Sequence, residues 1–533
     1  MLNGILDIQS GGVVSNKLVV GGGGCDYSVA VHETLGSADG AVYVGTGGRL
    51  FVRAGAANPR LASQIGHAGY GYLQVDEGAE ATIGEGPVSV GLHGLGVFHQ
   101  YGGTFVKRGT LTVGGDENGH GVIYVGKGAF RTESVGTAHV FPGTGKSSRA
   151  FVTVDGPDAE IEVGGSDSTF YVNQWASAAT RINLNNGGRL VVDRFYSYKT
   201  AAEMESAHAL IISFDGGVLK KRKDHSDVLT TGHHDAITCA VYAGGAAFDS
   251  ANRADCVWPA SNPIVGHVSG GVQAIDASTA VAMDWIGAPA VVIAGDGVGA
   301  TAVADWDAQT RKLKGIRITS RGWGYSAGNV TVTVKTSQRS VAIGGAAVTV
   351  GDNDIGGFTK LGANTLTVCS TNSWQKWTAV ADGTLRVGSN GAIPPNTELR
   401  LNGGTLDLNG FDADPERPVV FAGVSGTGGR VVNGVAKVAG VWTISAKRFI
   451  DRETTAVSGA IDLTGVTKIV FTDVESLDGE APKALPKLDL LATSAAAWPT
   501  DLAVEGLPVG WEVKASVRGL RMGVYKGTVL IVR

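Results

Sequence analysis

The chain is predicted to be an all-β solenoid, interrupted by a small antiparallel β insert and closed by an irregular β cap. Three observations carry this expectation. First, a unit of short alternating strand, glycine turn and second alternating strand recurs over most of the sequence. Alternation at period 2 buries one face of each strand, and glycine serves where the turn needs positive φ. Second, the turn glycines recur at intervals that a globular domain has no reason to keep. Third, apolar residues at helical spacing are almost absent, so helix should account for about one residue in ten or fewer.

Residues 1–236 form the first expected solenoid segment. The unit appears at Ala41–Val52, Tyr72–Gly84, Val97–Val106, Val122–Phe130, Phe151–Gly164, Ile182–Val192 and Leu210–Leu219. Its turn glycines, Gly48, Gly78, Gly103, Gly128, Gly156, Gly188 and Gly217, are separated by 30, 25, 25, 28, 32 and 29 residues. That drift suits coils with one constant strand–turn–strand side and loops of varying length elsewhere. Thr200 and Glu203 stand at capping-box spacing over a short helical turn between two units.

Residues 237–336 break the period and read as an inserted module stabilised by itself. Within them, Ala288–Ala304 leads to L-K-G-I-R-I-T-S-R-G-W-G-Y (Leu313–Tyr325) and V-T-V-T-V (Val330–Val334). These residues resemble the G-x-G-Y β repeat of phage tail and bacterial surface proteins, which implies a compact antiparallel module.

The unit is clearest in 337–440. F-T-K-L-G-A-N-T-L-T-V (Phe358–Val368) is followed by T-A-V-A-D-G-T-L-R-V-G (Thr378–Gly388), L-R-L-N-G-G-T-L-D-L-N-G (Leu399–Gly410) and Phe421–Gly434. Gly383 and Gly404 lie 21 residues apart in the same G-T-L context, the length of one coil. Leu385 and Leu406 should therefore stack in one inward row, with Thr384 and Thr405 facing out. In order and spacing these residues resemble the autotransporter-associated β-strand repeat of bacterial surface proteins. The pattern departs from that family at Cys369–Trp377. The resemblance implies a right-handed parallel β-helix, exported and displayed extracellularly or on the outer cell surface.

Residues 441–533 are less regular and are expected to cap the solenoid's open end, where unpaired strand edges need covering. Short strands are expected at Val441–Ser445, Thr467–Thr472 and Lys487–Leu491, with a hairpin over Arg521–Arg533 turning at Lys526–Gly527.

Composition agrees with many strands and tight turns. The chain has 81 glycines in 533 residues, about twice the usual ~7%, and only 17% charged residues. A hydrophobic content of 43% is too high for disorder, and a net charge of −5 is too mild for a nucleic-acid partner. No apolar run approaches the length of a membrane-spanning helix. The start has neither the basic nor the apolar region of a signal peptide, so a fragment or truncated start is expected. Of the four cysteines, Cys239 and Cys256 are close enough in sequence to pair, although unpaired thiols remain the simpler expectation.

Candidate chemistry is sparse, and no catalytic residue, cofactor or metal is assigned. His225, His233, His234 and Asp235 cluster between Lys220 and Ile237. Imidazole and carboxylate can ligate metal, but the spacing matches no zinc signature, and a solvated loop explains it as well. Asp76, Asp155, Asp215 and Asp382 recur beside turn glycines. Stacked carboxylates could serve acid/base chemistry on a polysaccharide, yet Asp-Gly is also a common turn pair whose carboxylate caps its own backbone. Trp374 and Trp377 are surface-binding candidates, able to stack on sugars or to tether a loop to the coil.

The expected function is that of a non-enzymatic cell-surface or secreted structural or adhesion protein, a rod-like scaffold displaying binding loops. Its expected partners are surface glycans or components of host or neighbouring cell surfaces. The alternatives are a carbohydrate-active β-helix enzyme and a phage tail or spike component.

Overall fold

The computed structural model describes residues 4–10, 12–15, 19–20, 39–52, 63–115, 118–133, 139–142, 147–165, 169–172, 178–204, 210–223, 229, 237–251, 253–413, 419–445, 457–473, 503–507, 511–516 and 519–524. The protein is all-β, with a few one-turn helices such as Ala201–Glu203 and Ser278–Val281. At the first of these, Glu203 accepts hydrogen bonds from the Thr200 backbone amide (2.8 Å) and hydroxyl (3.0 Å), as the capping-box spacing predicts. The chain divides into two compact units. One comprises Met1–Phe248 with Ser261–Gly356, and the other Asp249–Ala260 with Gly357–Arg533.

In the first unit, the strands before each turn form an in-register parallel ladder. They run from Gly4–Ile8 through Asp39–Val44, Tyr70–Val75, Leu95–Arg108, His120–Glu133, Arg149–Asp155, Ala179–Asn185 and Leu210–Asp215 to Ile237–Val241. The strands after each turn form a second parallel row, and a third sheet of seven strands runs from Val19–Val20 to Arg194–Ser197. Alternation points Val42, Leu73, Phe98, Ile123, Val152, Ile182 and Ile212 into one stacked interior row, all buried.

The turn glycines behave as their spacing predicts, with one refinement. Gly78, Gly103 and Gly128 carry positive φ themselves, whereas at Gly47–Gly48 and Gly187–Gly188 the first glycine does so. The second glycine is required for closeness: a Cβ on Gly48 would sit 2.3 Å from the carbonyl oxygen of Ile8 in the coil beneath.

Antiparallel strands lie within 271–351. Gly271–Ile275 pairs with Val348–Gly351, Thr301–Asp307 with Lys312–Ser320, and Thr331–Lys335 lies between Ala290–Ala294 and Ser340–Gly344. This antiparallel part does not pack by itself. It lies along the outward row Tyr43, Gln74, His99, Tyr124, Thr153, Asn183 and Ser213, which the ladder aligns coil by coil. Val291, Ala302, Trp306, Val332 and Val334 share one hydrophobic core with Tyr43, Tyr70, Tyr72, Val97, Val122 and Phe151. Hydrogen bonds fix the register. Tyr43 and Tyr70 donate to the carbonyls of Ile286 (2.7 Å) and Ala288 (2.6 Å). The Asn183 amide donates to the hydroxyl of Thr301 (3.0 Å), and that of Asn185 to the Thr319 carbonyl (2.8 Å). Arg311 lies 4.0 Å from the centre of the Tyr43 ring and pairs with Asp7.

In the second unit, Phe358–Leu361, Trp377–Val380, Thr397–Asp407 and Val420–Ser445 pair in parallel. Beside them run Cys256–Trp258, Thr365–Val368 and Thr384–Val387. Leu366, Leu385, Leu406 and Val431 are aligned and buried, while Thr384 and Thr405 face outward. The one-coil stacking read from the G-T-L repeats is therefore present. Parallel pairing continues through Val457–Thr472 to Ala503–Glu505. Gly519–Val524 forms a hairpin with Trp511–Ser516. The second arm expected after Lys526 and the strand expected at Lys487–Leu491 lie outside the described residues.

Lys107, Lys221 and Lys360 point inward at strand ends, the first and last each in a K-x-G sequence. Lys107 donates to the carbonyls of Gly84 (2.9 Å) and Arg108. Lys360 donates to those of Leu361 (2.7 Å) and Gly362 (2.6 Å). Burial pushes the Lys107 ammonium down to about 7 and that of Lys360 down to about 8. Cys239 and Cys256 are both buried, and the possible bridge between them is not formed.

Candidate functional site

The outward face of the second unit is a lattice whose columns the parallel register sets. Thr359, Ala379, Arg400 and Ser425 form one column, and Trp377 is aligned with Glu398 in the next. Larger neighbours surround the small Ala379, and glycine occupies position 426 one residue beyond Ser425. The result is a cleft of about 420 Å³ lined by Thr359, Trp377, Ala379, Arg400, Asn402, Ser425, Gly426 and Thr427.

Its walls are held from beneath. The Trp377 indole N–H donates to the Thr359 hydroxyl (3.2 Å), and a Cβ at Gly357 would meet the indole at 2.4 Å, so glycine lets the ring lie against the coil. Arg400 lies 4.8 Å from the centre of the Trp377 ring. Its guanidinium pairs with the Glu398 carboxylate through Nε (2.7 Å) and Nη2 (2.6 Å). Ser425 donates to the other oxygen of Glu398 (2.7 Å), and the Asn402 side-chain oxygen accepts from the Thr427 amide (3.2 Å). The surface thus combines an aromatic wall, a charge-balanced arginine, one carboxamide and three hydroxyls. Such a set can hold an uncharged, hydroxyl-rich ligand.

The structure separates the two candidate tryptophans. Trp374 is buried at 1% exposure, stacks on Phe358 with ring centres 5.0 Å apart and donates to the Thr378 hydroxyl (2.9 Å). It anchors the loop between coils, whereas Trp377 lines the cleft. His225, His233, His234 and Asp235 lie outside the described residues. Among the described residues there is no group of three or more metal-ligating side chains, and no helix is long and apolar enough to cross a membrane.

Each of the turn aspartates is hydrogen-bonded within the fold. Asp76 accepts from Gln74 (2.7 Å) and Asp155 from Tyr124 (3.0 Å) and Asn186 (2.7 Å). Asp215 accepts from the Gly244 amide of the next coil (2.6 Å), and Asp382 from the Gly383 amide (2.7 Å). Burial raises Asp76 above the usual carboxylate range, with its bond from Gln74 opposing.

Sequence reasoning missed Arg400, Asn402, Ser425 and Thr427. The signal was present in L-R-L-N, because once Leu399 and Leu401 face inward, Arg400 and Asn402 must face outward. What alternation omits is the height of each neighbour, and the missing bulk at Ala379 is what makes the cleft.

Comparison with known proteins now adds to this geometry. No solved structure matches the chain. The chain is 31% identical over 154 residues to the adhesin BmaC autotransporter of Brucella suis biovar 1 (strain 1330), an alignment covering 28% of this chain and 4% of that adhesin's length. The passenger-associated-transport-repeat family model matches residues 358–387, the two coils that build the Trp377 side of the cleft. The protein is thus a parallel β-solenoid that carries an autotransporter passenger-associated repeat.

Proposed function

We propose that the chain is a non-enzymatic, adhesin-like protein exposed on or outside the cell, its coils serving as a scaffold for outward-facing binding side chains. The observation that carries this reading is the passenger-associated repeat at 358–387 within a parallel solenoid, supported by similarity to an autotransporter adhesin. Physical argument points the same way. Parallel coils fix outward side chains on a regular lattice, so contacts from successive coils reach a partner together at little ordering cost. The test is adherence of bacteria displaying the chain to host epithelial cells and to neighbouring bacteria, with soluble chain as competitor. Adherence above that of undisplayed cells, abolished by the competitor, is expected. Equal adherence with and without the displayed chain would overturn the reading.

A further inference from the structure

We propose that the Trp377 cleft is a subsite for one neutral sugar residue of a glycan. The proposal rests on the adhesin-like reading above and gives it a ligand class. A volume of about 420 Å³ lies within the range of small-molecule sites and suits a mono- or disaccharide unit. The Trp377 ring is held by its bond to Thr359 and by the close backbone of Gly357, so it presents apolar surface without first being ordered. The polar side chains of the lining carry no uncompensated charge, because Arg400 is matched by Glu398 through two nitrogens. An anionic ligand would have to compete with that carboxylate. A neutral ring with alternating hydroxyl donors and acceptors meets the Asn402 amide and the Thr359, Ser425 and Thr427 hydroxyls instead.

A peptide fits less well. Strand addition needs an unpaired sheet edge, and Trp377–Val380 is already paired with Phe358–Leu361 on one side and Thr397–Asp407 on the other.

The experiment uses the full chain and saturation-transfer NMR with the methyl glycosides of glucose, galactose, mannose and N-acetylglucosamine, plus sialic acid and an unstructured peptide pool as comparators. Saturation transfer to at least one neutral glycoside is expected. It should vanish in Ala379→Trp, which fills the cleft from an outward position. It should weaken about tenfold in Asn402→Ala, which loses one polar contact pair. Asn402 is exposed, so that variant decides the matter even if Ala379→Trp folds poorly. Trp377→Ala should also lose binding. Failure of all four glycosides, transfer unchanged in the variants, or preference for sialic acid or peptide would overturn the proposal. If the glycosides fail while the displayed chain still mediates adherence, the cleft assignment falls and the adhesin-like reading stands.

Discussion

The outward faces of the two units use one lattice in opposite ways. Asp39–Val44 and Tyr70–Val75 of the first unit are buried along their whole length, on both faces. The corresponding strands of the second, such as Phe358–Leu361, alternate between buried and half-buried positions. The difference lies in the outward residues. Tyr43, Tyr72 and Tyr124 present rings that the antiparallel strands of 271–351 cover, whereas Thr359, Ala379, Arg400 and Ser425 remain polar or small. A coil's interior row makes it a solenoid, and its outward row decides whether it receives another part of the chain or is left open to a ligand.

Removing that cover should have the largest effect. Replacing residues 271–351 with a short Gly/Ser linker would expose Tyr43, Tyr70, Tyr72, Val97, Val122 and Phe151 together. The first-unit coils should then lose protease resistance and aggregate. Coils that stay resistant in limited proteolysis would show that the covered face is stable bare.

The interior rows should respond alike in both units, which the second can test. Leu385→Asp or Leu406→Asp would bury an unpaired carboxylate in the stacked row and cost several kcal/mol. Thr384→Asp and Thr405→Asp, facing outward, should cost less than about 1 kcal/mol. Chemical denaturation of the four variants checks this, and similar losses in all would refute the stacking.

Acid should distinguish the units. Every histidine lies at or before position 267, so the second unit has none. His99 and His120 are buried at the covered face, and among the described residues neither Nε2 has a hydrogen-bond partner. Burial first, then Arg317 for His99 and Arg149 and Lys335 for His120, lower each from 6.5 to about 3. Groups so depressed contribute stability that is present above the unfolded value of 6.5 and lost as pH falls towards 3. The first unit should therefore lose up to roughly 2 kcal/mol per histidine by about pH 5, an effect removed in His99→Gln/His120→Gln. Hydrogen-exchange protection measured from neutral to acid pH, unit by unit, reads this directly. Equal acid loss in both units would assign the sensitivity elsewhere.

The smallest expected effect sharpens the docking register. Asn183→Ala removes the amide that meets Thr301 and Thr319, and should cost about 1–2 kcal/mol. Asn402→Ala on the open face should leave stability within about 0.5 kcal/mol. Thermal denaturation of the pair tests the contrast.

What the sequence revealed follows the same division. Interior rows were legible at Leu385 and Leu406 because alternation and turn spacing are local properties. The covered face is less legible, although A-V-Y-V and Y-G-Y-L already set alanine and tyrosine at the outward positions where a half-solvated strand carries charge. Which segment covers such a face is a long-range fact that periodicity does not contain. Trp374 and Trp377 looked equivalent because both lie in one irregular loop. Only the return path of that loop, stacking Trp374 on Phe358, separates anchor from cleft wall.

The inward lysines bear on how such a chain finds its pairing. Near-identical coils invite slippage, since a strand offset by a whole coil still finds apolar partners. Lys107 and Lys360 penalise the wrong choice. Each ammonium reaches its carbonyls only where a K-x-G turn closes at the end of its own strand. Shifted by one residue, the lysine leaves the interior and the whole strand inverts. Shifted by two, Lys107 parts from the Gly84 carbonyl and Lys360 from the Ser250 hydroxyl, the partners that belong to the neighbouring coil. A charged residue at the end of one strand in each unit thus works as an indexing mark, correcting alignment errors that a purely aliphatic interior would tolerate.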